Sequence, residues 1–474
     1  MRRPAVSVAA LQRAIDGEVI VPGSPAYGRL PGPFNARFGG VLPRAVVCCA
    51  SAGDVAETVR FMRRHGLESA ARSGGHCFAG RSATPGIVID VTPMNRVMVT
   101  GGVATVAAGA RLGEVYLGLL ADGVTIPGGS CPSVGIAGLT LGGGLGMLGR
   151  AHGLTSDHLL GARIVAADGR VLSCDDHHEE ELFWALRGAG AGQFGVVTDL
   201  DFRPVAIPAA TTVFHLRWPF SDAAAVTRAW VNWAGTAPGQ LAASLVLSTT
   251  ADPAEPPLLE LFGNMLGTGS DAAELLEQLA AKAGADPDID LLRQLPYRDM
   301  LQHWANRTGE RLEPPYRHQA GRNYYVIKSE FFARPLPGAA IGALLAHLTK
   351  ARIPGQAREL DFSPWGGAYN RTRADATAFV HRDALYSLKH TAAIADNARP
   401  TEKVAARTWA GRSWQLCRRW GTGRVFPNFP DPDLPDWENA YYGANCERLL
   451  GVKARYDPGG LFRGPQSLGA RAPA

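Results

Sequence analysis

Long apolar runs are missing from this chain of 474 residues: no stretch approaches the ~18 consecutive apolar residues that a membrane-spanning helix needs. The opening segment MRRPAVSVAALQRAIDGEVIVPG carries two arginines, but Gln12, Arg13 and Asp16 interrupt its short apolar stretch, unlike the core of a secretion signal. The expectation is a soluble, cytoplasmic protein with no membrane partner. Charge is scarce as well. Asp, Glu, Lys and Arg make up only 19% of the residues, the formal balance is +5, and no run of Lys and Arg is longer than a pair, so no nucleic-acid partner is implied. The seven cysteines, at 48, 49, 77, 131, 174, 417 and 446, form an odd and scattered set without C-x-x-C spacing. That argues against a disulfide framework and against a zinc site, so no metal is expected and most thiols read as buried packing groups.

Glycine, by contrast, is plentiful. Its 56 occurrences imply many turns and close backbone approaches, which favours a loop-rich α+β architecture over a regular bundle. The length allows about three domains. Over the first two hundred residues β and α patterns alternate: AVVCCA (45–50) is a short apolar strand, followed by a helix with Val55, Val59 and Met62 on one face and Gly66 at its end. GIVIDVT (86–92) is a second buried strand, and RVMVTGGVATVAAG reads as a hairpin around Gly101 and Gly102. After Pro204 the texture changes to strands such as TTVFHLRWPF, LAASLVLSTT and NYYVIKSEFF, separated by longer helices, which predicts a separate antiparallel sheet backed by helices.

Two segments set glycines beside reactive side chains. One is Arg72-Ser73-Gly74-Gly75-His76-Cys77, and the other is PGGSCPSVGIAGLTLGGGLGMLGR at 127–150. Consecutive glycines let successive backbone N–H groups point into one concavity that binds phosphate oxygens, so a diphosphate is a plausible guest. The second segment does not complete a dinucleotide fingerprint, because no clean strand runs into it and Met147 stands where a glycine is required.

Four motifs occur together and in order: RSGGH (72–76), GSCPSVGIAGLTLGGGLG (129–146), LFWALRGAGAGQFGVVT (182–198) and YYGANCERLLGVKARYDPGGLFRGPQSL (441–468). They resemble the berberine bridge enzyme-like flavoproteins of the vanillyl alcohol oxidase/p-cresol methylhydroxylase superfamily. The resemblance covers nearly the whole chain. It implies an α+β fold with a two-part FAD-binding domain of the p-cresol methylhydroxylase type over residues 1–205, split near 98. A substrate-binding domain follows over 206–424, an antiparallel sheet backed by helices, and the segment 425–474 returns to the FAD domain.

The same resemblance implies FAD held by two covalent bonds, from His76 to the flavin 8α-methyl group and from Cys131 to flavin C6. Both atoms lie on one edge of the isoalloxazine, so two loops meeting there would hold both bonds. Arg72, Ser73, Gly74, Gly75, Gly138, Gly142, Gly143, Gly195, Val197 and Asn445 are the further cofactor-binding positions implied, with Gln193 nearby and Cys77 a packing residue. Val134 takes the gatekeeper position where a valine goes with access of O2. Leu139, however, stands where several members have a histidine.

The expected chemistry is hydride transfer from an alcohol, on a sugar or a secondary metabolite, to flavin N5, followed by reoxidation by O2 to hydrogen peroxide. The tyrosine that serves as base in many members is missing, since Asn428 is followed by Phe429 and another common tyrosine position holds Phe426. Asp361 is the first choice of base, a carboxyl whose pKa burial would lift towards neutrality, with Trp365 one helical-looking step on; Tyr369, His381 and Lys389 are weaker candidates. Trp365, Tyr324, Tyr325 and Trp304 are candidates for an aromatic platform under the substrate. Two alternatives stay open: oxidative cyclisation or C–N oxidation of a natural product by the same flavin, and a flavin-containing protein that sequesters a compound without turnover. The partners expected are a small-molecule substrate and O2. Substrate identity and oligomeric state are not set by the sequence.

Overall fold

The computed structural model describes residues 7–316 and 323–469. The ends of the expected spans, 1–6 and 470–474, lie outside the described residues. Three larger sheets follow one another along the described chain, with a two-stranded one between the second and the third. The first comprises β1 (Glu18–Ile20), β2 (Ala45–Cys48), β3 (Ser69–Arg72) and β4 (Ile87–Asp90), in the order β1-β2-β4-β3, with β4 parallel to both β2 and β3. All four residues of β4 are buried, as a strand covered on both faces must be. The helix Ala52–His65 covers this sheet: Ser51 caps it by accepting the Asp54 N–H, and Gly66 ends it in the left-handed region at φ 61°.

The second sheet is antiparallel. It contains β5 (Val97–Thr100) and β6 (Val103–Ala107), joined by the tight turn at Gly101 and Gly102. After the short β7 (Val124–Thr125), β8 (Leu159–Ala166), β9 (Val171–Asp175) and β10 (Gly195–Phe202) complete it in the order β5-β6-β10-β8-β9. β7 pairs instead with β11 (Val205–Ala206), where the chain leaves the second sheet for the third.

The third sheet has seven antiparallel strands: β12 (Thr211–Arg217), β13 (Leu241–Thr249), β14 (Leu258–Met265), β15 (Asp288–Leu295), β16 (Asn323–Phe332), β17 (Gln356–Pro364) and β18 (Tyr386–Ala395). Their order is β15-β12-β14-β13-β17-β18-β16. Alternation along each strand separates two faces. Leu245 and Leu247, Leu259 and Leu261, Leu360 and Phe362 point into a core with the helices Ala223–Trp233, Gly338–Thr349 and Pro400–Arg418. Burying each such side chain contributes about 1.5–3 kcal/mol. The intervening residues face the other way, towards the first two sheets.

The C-terminal segment packs with the first two hundred residues. Val425, Tyr441, Tyr442, Leu449 and Phe462 share one core with Val106, Ile164 and Phe202. Lys453, buried on the helix Cys446–Tyr456, donates to the carbonyls of Gln193 and Phe462 and pairs with Asp457 at 2.7 Å. The tail is thereby tied to the glycine loop before β10. All seven cysteines are free thiols, but only Cys49, Cys174 and Cys417 are buried; the other four are half-buried. Among the described residues no helix is long and apolar enough to cross a membrane.

Candidate active site

A cleft of about 1100 Å³ runs between the first two sheets and the exposed-side residues of the third. That lies just above the usual range for small-molecule sites, roughly 300–1,000 Å³. Its floor is backbone. The loop 72–76 continues from β3, and the loop 131–136 is held against 110–113 by hydrogen bonds from Leu112 N–H to Val134 O, Gly113 N–H to Pro132 O and Ile136 N–H to Ala110 O. The two loops touch at Gly74 and Gly135. A Cβ on Gly74 would lie 2.2 Å from the Gly135 nitrogen, and one on Gly135 would lie 2.1 Å from Ser73 Oγ, so only glycine allows this approach.

His76 and Cys131 are carried on these touching loops, and both line the cleft. The His76 ring stacks on Phe34 with centroids 4.7 Å apart, and Phe34 stacks in turn on Tyr325. His76 Nε2 lies 2.8 Å from Ser133 Oγ, which lies 2.5 Å from Glu310 Oε1, while Glu310 Oε2 accepts the Ser133 N–H at 2.9 Å. Burial, and then the Glu310 carboxylate, push the Cys131 thiol up to about 11, against hydrogen bonds with Ser130 and Thr308 and the charge of Lys389. The sulfur therefore stands mostly as S–H at neutral pH.

The wall opposite is made of side chains. Ser244 and Ser248 from β13, Glu260, Phe262 and Asn264 from β14, Glu359, Asp361 and Ser363 from β17 and Lys389 from β18 all line the cleft. Asp361 and Lys389 are cross-strand partners, as are Val246 and Asp361. Lys389 Nζ sits 2.9 Å from Asp361 Oδ2 and 3.5 Å from Glu359 Oε1, and 5.4 Å from the centre of the Phe429 ring. Although burial opposes its charge, Asp361 and Glu359 together raise the Lys389 pKa above the ordinary lysine range. Ser363 donates to Asp361 Oδ1 at 2.9 Å. The carboxyl expected to be desolvated without compensation thus carries a cation and a hydroxyl.

The other expected positions divide. Ser73, Gly74, Gly75, Val134, Gly138, Gly195, Val197, Gln193, Leu139 and Cys77 line the cleft. Arg72 lines it as well, but its guanidinium is spent on the carbonyls of Ser82 and Pro31. Tyr369 reaches the cleft edge, donating its hydroxyl to Gly146 O at 3.1 Å, and burial raises the phenol further from use as a base.

Gly142, Gly143, Asn445 and Trp365 are not brought to the cleft. A Cβ at Gly142 would strike the Asn428 side chain and one at Gly143 the Phe379 ring, so both serve packing. Asn445 Nδ2 is committed to the carbonyls of Ala374, Thr377 and Ala378. Trp365 follows the end of β17 and is fully buried against Tyr369 and Phe331. Four residues of strand span about 13 Å, so the helical step expected from Asp361 to Trp365 does not exist. His381 is likewise buried beside Phe331 and Phe379, with desolvation driving it down to about 3. The aromatic platform reduces to Trp304. Tyr324 is buried elsewhere and Tyr325 supports Phe34.

Whether FAD fits can be judged from the bare backbone. Gly75, Gly138 and Gly192 line the cleft, and at each a Cβ would meet nothing within 4 Å, so the space over them is open for a ligand that touches backbone. Glycine N–H groups for a diphosphate, with imidazole and thiol at one end, suit that cofactor. Asn428 locks the arrangement, accepting the Gly144 N–H and donating to Gly138 O, each at 3.0 Å.

Comparison with known proteins agrees with this geometry. The family model described as FAD binding domain matches residues 43–175, and that described as Berberine and berberine like matches 425–469. The uncharacterised FAD-linked oxidoreductase YvdP of Bacillus subtilis is 32% identical over 96% of this chain and 98% of its own. Wild-type BBE-like 1 of Physcomitrella patens superposes with a TM-score of 0.88 at 27% identity, over 98% of this chain and all of that one. The glucooligosaccharide oxidase of Acremonium strictum, whose structure is described as carrying 6-S-cysteinyl, 8α-N1-histidyl FAD, gives 0.87 at 26% identity over 98% and 99%.

Proposed function

We propose a function that proceeds from one fact: the chain belongs to the berberine bridge enzyme-like FAD-linked oxidoreductases. The proposed reaction is oxidation of an alcohol carbon on a polyhydroxylated substrate, a sugar or a glycosylated secondary metabolite, with O2 as the final acceptor and hydrogen peroxide as the by-product. FAD, attached through His76 and Cys131, would accept the hydride at N5 when bound.

The observation that supports this reading is the polar wall. A sheet face carrying Ser244, Ser248, Asn264, Glu359, Asp361 and Lys389 into the cleft offers donors and acceptors at the spacing of successive strands. All but Asn264 are half-buried, so a substrate rich in hydroxyls can take the place of water around them. Asp361 takes the hydroxyl proton, with Lys389 and Ser363 fixing its carboxylate in place. Trp304 and Phe262 bound the same wall and would cover an apolar ring face. The Acremonium relative, named for glucooligosaccharides, is in keeping with this substrate class.

A second reading rests on Phe429. With a phenyl ring where many members have a phenol, and with the nearest carboxylate held by Lys389, an amine or an activated ring system needing little deprotonation is favoured over a simple alcohol. One experiment separates the two. Purified yellow protein is mixed anaerobically with oligosaccharides and, separately, with alkaloid-type amines, and then air is admitted. Bleaching by oligosaccharides with rapid recolouring is the expected result; bleaching by amines alone would replace the first reading with the second, and no bleaching by either would leave a binding protein.

A further inference from the structure

Glu310 is a charged loop residue far along the chain, yet it reaches the cofactor side of the cleft. Its N–H donates to Ala305 O, which anchors it just beyond the helix Tyr297–Arg307, and its carboxylate crosses to Ser133, 177 residues away in sequence. Ser133 is fully buried and faces His76. The direction of these hydrogen bonds is fixed by counting protons. A carboxylate only accepts, so Ser133 gives its single hydroxyl proton to Glu310 Oε1. Its oxygen must then accept from His76, which places a hydrogen on Nε2, so that in the neutral imidazole the lone pair falls on Nδ1.

We propose that Glu310 and Ser133 form a relay that selects this tautomer of His76 and withdraws its proton as the imidazole bonds to the flavin 8α-carbon. The proposal rests on the covalent attachment put forward above. Forming the Nδ1–C8α bond removes one hydrogen from the methyl carbon and one from the imidazole, two protons and two electrons in total. The Nε2 proton passes through Ser133 Oγ to Glu310, and the methyl proton goes to water. The two electrons pass through the isoalloxazine to dioxygen, which takes up two protons and leaves as hydrogen peroxide. Glu310 and Ser133 are positioning residues for this step, since neither forms the new bond.

Cys131 supplies an internal control. It lines the same cleft and no hydrogen bond links it to Ser133 among the described residues, while the Glu310 charge holds its thiol up, so removing that charge should favour its bond to the ring and not slow it. The test uses the full chain produced under flavin starvation, with FAD then added to it in air. Covalent attachment is followed by intact mass after denaturation and by mapping the peptides that contain His76 and Cys131. Glu310→Gln keeps the size and one of the two acceptor oxygens but cannot take the proton. It is expected to slow attachment at His76 about 10²-fold while attachment at Cys131 is as fast or faster, since the charge that holds its thiol up is gone, and raising the pH should recover part of the loss at His76.

Ser133→Ala should act like Glu310→Gln, and Ser133→Thr should restore the rate; this pair decides the matter if the Gln variant does not fold. Unchanged attachment at His76 in the variants would overturn the relay. Equal slowing at both positions would also overturn it, because Glu310 would then only hold the loops together. Absence of any adduct in the unmodified chain would instead refute covalent attachment itself.

Discussion

The two sides of the cleft are built on opposite principles. The floor, formed by loops 72–76 and 131–138, is recognised through its backbone, and its glycines are there because Cβ atoms would collide with the facing loop or occupy the ligand's space. The wall, formed by β13, β14, β17 and β18, is recognised through side chains that alternate with a hydrophobic core. A floor of this kind tolerates almost no substitution, because nothing in it can relax. A wall of this kind can change its chemistry residue by residue while the fold stands, which is how one cofactor platform serves different substrates.

The largest effect that would sharpen this contrast falls on the wall. Asp361→Asn keeps the shape and the Ser363 hydrogen bond but removes the proton acceptor and leaves Lys389 with Glu359 alone. The rate of anaerobic flavin bleaching should fall by about 10²–10⁴-fold, with the melting temperature little changed. A fall in stability without a fall in rate would show Asp361 to be a structural ion-pair partner.

Next comes the floor. Gly135→Ala places a methyl group 2.1 Å from Ser73 Oγ and 2.3 Å from the Gly74 nitrogen, and the second of these is backbone that cannot swing away. The expected cost is about 3 kcal/mol, seen as a lower denaturant midpoint together with loss of bound FAD. Ala at Gly138, where a Cβ meets no protein atom, should leave unliganded stability almost unchanged and weaken FAD alone. If both variants behaved alike, the floor would not be the rigid backbone surface described.

The same contrast explains what the sequence disclosed. Glycine clusters beside His76 and Cys131 are unusual enough to be read directly, and so was the helix-backed antiparallel sheet after Pro204. The wall was far less legible, because a strand such as LAASLVLST alternates small polar and apolar residues whether its polar side meets water or a substrate. Asp361 stands out in the sequence and Lys389 does so less, since only the cross-strand register sets the two side by side. Glu310 left no signal at all: its loop reads as solvated, and its contact with Ser133 exists only through tertiary folding. Trp365 failed for a local reason, a helical step assumed where the chain is extended.

The helix-covered face of the wall offers the smallest and most specific test. Glu330 on β16 is completely buried there, accepting the Gly423 N–H at 2.6 Å and the Trp414 indole N–H at 3.1 Å, with no ion pair among the described residues of the kind Lys389 gives Asp361. Desolvation therefore dominates and raises it to about 7, despite those hydrogen bonds and the distant charge of Arg418. An unfolded glutamate titrates near ~4.3, so between these values the folded chain holds a proton that the unfolded chain has released. Stability must then fall as pH rises through this window and level off above about 7, the reverse of the usual carboxylate behaviour. Between pH 5 and 7 the loss from this one group should be about 2 kcal/mol, measured by denaturant unfolding at each pH. Glu330→Gln, which is neutral at every pH and keeps an acceptor oxygen for one of the two N–H groups, should flatten that segment of the profile. A profile identical in the variant would mean that Glu330 is ionised in the folded protein, and that the buried face of this sheet compensates charge as fully as the cleft face does.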